Sequence, residues 1–277
     1  MKKTVIIVLC LALLAGLAAY LKTLSPVKDI INPPSPKADV SNIPYTIENE
    51  SVTLVDGKAA EAVPDSSSQT VTQIFGEPAA GDLDLDGTGD AAVFLTQSSG
   101  GSGTFYYVAL VLTQADGTLR SLPAIFLGDR IAPQSILIRD GVAMVNYAAR
   151  RAGEPMSAQP SLATTKYVTV EGGKAKEFNL LSAGEQLFAG NLIMAPEARI
   201  FTPCNGTAHW VIGTSTAYAD LMKAYDAYKS TTTPYSSVYA VVSGVIVSAP
   251  ADGFGADYSY GIDVKNLIKV LPGASCR

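Results

Sequence analysis

Asp-Gly and Gly-Gly pairs interrupt the apolar runs of this chain at short intervals, and that punctuation constrains the fold more than any other feature. Asp116-Gly117, Asp140-Gly141 and Gly172-Gly173 each follow a short segment rich in Val, Ile, Thr or aromatic residues. Such side chains pack well on a pleated surface, while Asp-Gly and Gly-Gly accept the left-handed backbone of tight turns. Within residues 45–178 the segment 45–55 alternates, 71–75 and 91–96 are apolar, and 104–113 is long and strongly apolar. Ala115-Asp116-Gly117 turns that last segment back. Residues 136–138 and 142–147 bracket Arg139-Asp140-Gly141, and 167–170 runs into Glu171-Gly172-Gly173. No stretch of useful length carries a helical apolar period. The expectation for 45–178 is one all-β domain.

Residues 184–277 repeat the short-strand pattern at 187–194, 199–202, 209–213, 238–248 and 258–271, with one exception. Tyr218, Leu221, Met222, Tyr225 and Tyr228 fall at spacings of three and four, the signature of a helix facing a core. Five strands with one helix between the third and fourth predict a small closed barrel of the OB type. The fold class expected is therefore mainly β: a leader, one all-β domain, and one OB-like barrel with a single helix.

The leader occupies residues 1–22. Lys2 and Lys3 precede an uncharged run over 4–21, and Lys22 closes it, which reads as an export signal. Eighteen helical residues would reach roughly 27 Å, close to the thickness of a bilayer core. The run serves either as a retained membrane anchor or as a signal peptide cleaved after the small residues Gly16 and Ala18. Both readings send the body across the membrane. Cys10 follows Val8 and Leu9 in mid-run, where lipoprotein processing would want small residues, so it reads as part of the apolar segment. Residues 23–44 carry Pro26, Pro33, Pro34, Pro36 and Pro44 and read as a semi-rigid spacer. The formal net charge is −5, and without Lys2, Lys3 and Lys22 the balance falls to −8. An acidic body excludes nucleic acid as a partner, because phosphate contacts need a basic surface.

One motif carries sharp chemistry: Gly81-Asp82-Leu83-Asp84-Leu85-Asp86-Gly87-Thr88-Gly89-Asp90. Carboxylates at relative positions 1, 3, 5 and 9 with glycine at 6 suit a curled loop around a hard cation. Calcium takes six to eight oxygens, and Asp82, Asp84, Asp86 and Asp90 with the Thr88 carbonyl and water can supply them. Position 12 is Val93 rather than Glu, and an apolar strand follows, so this is not an EF-hand. The bare alternative is a solvated Asp-Gly turn. Close like charges repel without a cation, which favours calcium in a structural role. A loop followed directly by a strand resembles the calcium loops of FG-GAP and related β-repeat modules. Here it occurs once, so no propeller is implied.

Two further resemblances concern location. The body from 45 to 170, with Gly-Ser-Gly-Thr-Phe-Tyr-Tyr and Ile-Phe-Leu-Gly-Asp-Arg-Ile beside the aspartate motif, resembles uncharacterised exported bacterial proteins. Ala198-Arg199-Ile200-Phe201-Thr202-Pro203-Cys204-Asn205-Gly206, Trp210-Val211, the 218–225 helix and Leu271-Pro272-Gly273-Ala274-Ser275-Cys276 resemble the C-terminal OB domain of NlpE-type envelope lipoproteins. That resemblance implies an envelope location, surface or stress sensing, and partner binding. The chain departs from the family in its first domain and in lacking a lipid-acceptor cysteine.

Cys204 and Cys276 are the only cysteines of the body. In an exported chain such a pair predicts a disulfide. The rival reading, Cys204 as a nucleophile beside His209, lacks a third orienting group. His209 is the only histidine, which excludes a histidine-rich zinc site within one chain. The glycine-serine run 98–103 has no following basic residue or helix and reads as a flexible loop rather than an anion cradle. Phe105, Tyr106 and Tyr107 alternate as core and edge packing. There is no Gly-x-Ser-x-Gly elbow and no His-Glu-x-x-His helix, and the densest carboxylates belong to the calcium loop. The expected function is a non-catalytic, calcium-stabilised binding or sensing module whose partner is an envelope protein or surface component. The alternatives are an inhibitor of a surface-attacking hydrolase, such as a lysozyme or protease, and a glycan- or peptide-acting enzyme built on distant paired carboxylates.

Overall fold

A computed structural model describes residues 39–213, 216–230, 233–271, 274 and 276; the leader and most of the proline-rich stretch lie outside them. The described residues form one unit by contact. Its strands are β1 (Pro44–Ile47), β2 (Glu50–Thr53), β3 (Lys58–Ala62), β4 (Gln69–Gly81), β5 (Asp90–Ser98), β6 (Phe105–Thr113), β7 (Leu119–Ser121), β8 (Ile125–Asp129) and β9 (Ala132–Arg139). Next come β10 (Val142–Ala149), β11 (Leu162–Glu171), β12 (Lys174–Phe178), β13 (Gln186–Ala195), β14 (Ala198–Pro203) and β15 (His209–Ile212). Helix α1 (Thr216–Tyr228), β16 (Val238–Ser248) and β17 (Tyr260–Leu271) complete the order.

The first sheet has the order β3-β4-β5-β6-β7, with β8 pairing the other half of β6; the second has the order β12-β11-β10-β9. Strands β5 and β6 are apolar almost throughout because both of their faces are covered. Ala92, Phe94, Val108 and Leu110 face Ala143, Val145, Tyr147 and Val168 of the second sheet. Ala91, Val93, Leu95, Tyr107 and Ala109 face Val40, Tyr45, Ile47 and Val52. A strand buried on one face alternates; these two cannot. Val40, inside the stretch read as spacer, is buried, and the Tyr45 hydroxyl donates to its carbonyl at 2.8 Å.

The alternating segment 45–55 is not one strand. Glu48 and Asn49 both take positive φ, 50° and 73°, and fold it into the β1–β2 hairpin. An Asn at the second position of a two-residue turn was the available signal. Strands β3, β7 and β12 are short or largely exposed and carry no apolar run to read, and β8 offers only the brief Ile125-Phe126-Leu127.

The fold is mainly β, as expected, with a closed barrel ordered β13-β14-β15-β17-β16. The β15–β17 pairing is parallel and every other pairing in the barrel is antiparallel. Five strands in this arrangement make an OB-like barrel. Helix α1 places Ala217, Leu221 and Tyr225 against the barrel core, four residues apart, and the Tyr225 hydroxyl donates to the Ser236 carbonyl at 2.8 Å. Cys204 and Cys276 form the expected disulfide, with Cα atoms 5.1 Å apart.

The outer faces of the barrel and of the second sheet share a fourth apolar cluster. It joins Val142, Met144, Tyr167 and Phe178 to Ala189, Tyr239, Val241 and Ile268. The disulfide and Leu85, from the aspartate motif, pack into the same cluster. The motif therefore sits where the two lobes meet.

Candidate metal centre

The aspartate motif is the connection from β4 to β5. Its curl needs two left-handed positions: Leu85 at φ 65° and Gly87 at φ 94°. Glycine adopts that conformation at little cost. Leu85 pays a steric penalty and is held there by its packing at the lobe junction.

The turn gathers Asp82, Asp84 and Asp86 so that one ligand oxygen from each lies within 4.8 Å of the others. Each carboxylate is oriented by a backbone amide of the same loop. Gly87 N donates to Asp82 Oδ2 at 3.0 Å, Asp86 N to Asp84 Oδ1 at 3.3 Å, and Thr88 N to Asp86 Oδ1 at 2.6 Å. Burial and the neighbouring Asp86 carboxylate raise the Asp84 pKa above its ordinary value. Three hard oxygens held this closely match the donor chemistry of calcium or magnesium. The remaining ligands would come from the Thr88 carbonyl and water.

Asp90 is placed differently. It is buried, and both its oxygens accept backbone amides: Oδ2 from Leu83 at 2.8 Å and Oδ1 from Thr113 at 2.9 Å. Thr113 Oγ1 in turn donates to the Gly89 carbonyl at 2.6 Å. Asp90 thus clamps both ends of the loop to β6. Burial pushes its pKa up to about 6, against the pull of those two amides.

Lys269, on β17, was not anticipated. Its side chain crosses from the barrel and its Nζ donates to the Leu83 carbonyl, between the first two aspartates. The residue is 9% exposed. Burial lowers its pKa to about 8, while Asp84, Asp82 and Asp90 pull the other way. The only sequence signal was a lysine flanked by Leu267, Ile268, Val270 and Leu271. Its acceptor lies 186 residues away, which no local pattern can indicate.

Other polar and aromatic side chains of the body have structural places. Tyr107 is in the core with its hydroxyl donating to Glu48 Oε1 at 2.9 Å. The Arg130 guanidinium pairs with Asp129, and that of Arg150 donates to the carbonyls of Arg130 and Ala158. His209 sets its ring edge against Tyr260, and burial lowers its pKa. Among the described residues no helix is long and apolar enough to cross a membrane, and the 4–21 run lies outside them. No family model, curated protein or solved structure matches the chain.

Proposed function

We propose that this chain is an exported, membrane-tethered bacterial envelope protein. In this reading the body is a non-catalytic module that binds or senses an envelope protein or surface component, and calcium stabilises the aspartate loop. The observation that carries the reading is the trio Asp82, Asp84 and Asp86, each oriented by a loop amide at the head of a buried strand. The disulfide fits an oxidising compartment outside the cytoplasm. Millimolar calcium there makes even a weak site useful, and an ion that closes the loop steadies the lobe junction into which Leu85 packs.

The test is thermal melting in calcium and in EDTA. At calcium a hundredfold above the dissociation constant, binding adds about 2.7 kcal/mol. For a body of this size that raises the melting temperature by about 5–10 °C. An Asp84→Ala, Asp86→Ala double variant is expected to lose the shift while still folding. Identical melting of the wild type with and without chelator would remove calcium from the reading. Capture from cross-linked envelope fractions, with the full body as bait, then identifies the partner.

A further inference from the structure

A lysine that is 9% exposed needs an explanation, because desolvating an ammonium costs several kcal/mol unless opposite charge and hydrogen bonds offset it. Lys269 Nζ donates to one backbone carbonyl, that of Leu83, in the middle of the aspartate motif, and the carboxylates of Asp84, Asp82 and Asp90 favour its charged form. The space is made for it by Gly141 in the β9–β10 turn. A Cβ there would lie 2.8 Å from Nζ and 3.1 Å from Leu85. The lysine is therefore built into a place where the barrel, the second sheet and the aspartate loop converge.

We infer that Lys269 is the resident counter-cation of the aspartate loop, holding the loop to the barrel when no metal is bound and lowering its affinity for divalent cations. The affinity part rests on the calcium reading above; the loop-holding part does not. The electrostatics follow directly. A fixed positive charge beside the carboxylates does part of the work that a cation would do, and it repels a cation that arrives. Charges near a protein surface interact at an effective dielectric well below that of bulk water. A loop with such a partner does not collapse outward on losing calcium. It binds calcium weakly and reversibly, as a site answering to changing concentration must.

The experiment compares wild type with Lys269→Met and Lys269→Arg by calcium titration calorimetry and by hydrogen exchange of the 82–90 segment in EDTA. Lys269→Met, an apolar replacement of similar length, is expected to bind calcium about tenfold or more tightly and to exchange the loop amides about tenfold faster in EDTA. Lys269→Arg keeps the charge and is expected to bind within about threefold of wild type, which controls for repacking. Calcium uptake by all three proteins with equal affinity, and unchanged exchange in Lys269→Met, overturns the inference alone. No uptake by any of them overturns the affinity claim together with the calcium reading. In that case only faster exchange in Lys269→Met would uphold the holding role.

Discussion

Asp82 and Asp90 belong to one motif and have different work. Asp82 joins a trio of carboxylates, whereas Asp90 spends both oxygens on the amides of Leu83 and Thr113. Asparagine at position 90 would keep one acceptor and turn an amide N–H toward the other donor. A buried donor left without its acceptor costs about 1–3 kcal/mol. Asp90→Asn is therefore expected to lose about 2 kcal/mol in urea unfolding, in calcium and in EDTA alike. A loss confined to calcium would mean that Asp90 acts mainly through the ion. The aspartates and Gly87 were legible in the sequence because their spacing is local and their chemistry is specific. The division of labour between them was not, since it depends on where β6 places the Thr113 amide. Lys269 was illegible for the same reason at longer range.

At the scale of elements, the closest approach in the barrel is at Gly190 on β13. A Cβ there would stand 2.1 Å from the Thr202 carbonyl oxygen, a backbone atom that cannot rotate away. Gly190→Ala must part β13 from β14 and is expected to cost about 3 kcal/mol in chemical unfolding. The segment leading into β13 is fixed by Glu185. Burial would raise its pKa, but donors from Ser243, Ser182, Leu181 and Asn266 outweigh it and leave it lowered. A carboxyl depressed in the folded state contributes stability above its ordinary value of 4.5, and loses it as pH falls through the folded value. Glu185→Gln is thus expected to be less stable than wild type by about 2 kcal/mol at pH 7, with the gap narrowing below about pH 4. A gap that stays constant with pH would assign the effect to packing. The strands and helix of the barrel were readable because apolar spacing repeats within each. The β1–β2 turn was fainter, marked only by Asn49 and by a change of apolar phase from Tyr45 and Ile47 to Val52 and Leu54.

For the whole molecule, the decisive region is the cluster shared by the second sheet, the barrel, Leu85 and the disulfide. Cys204 and Cys276 are 72 residues apart, and closing a loop of that size restricts the unfolded chain by about 4 kcal/mol in the chain-entropy model. Cys204→Ser with Cys276→Ser is expected to lose that amount in urea unfolding, and reduction of the wild type to lose the same. The pairing was legible because the body holds only two cysteines. The junction was not, because its apolar residues look like ordinary strand residues, and only assembly shows that Val142 and Tyr239 share one buried cluster.

One consequence of the barrel order concerns the route to the native state. Strand β17 lies between β15 and β16 and closes the ring that β14 and β13 complete on the other side. A chain delivered from its N-terminus, by synthesis or by threading across a membrane, therefore has both sheets in hand long before the barrel can close. Until residues 260–271 arrive, β16 keeps an unpaired edge and the Leu83 carbonyl lacks its lysine partner. That interval is when a chaperone would have something to hold.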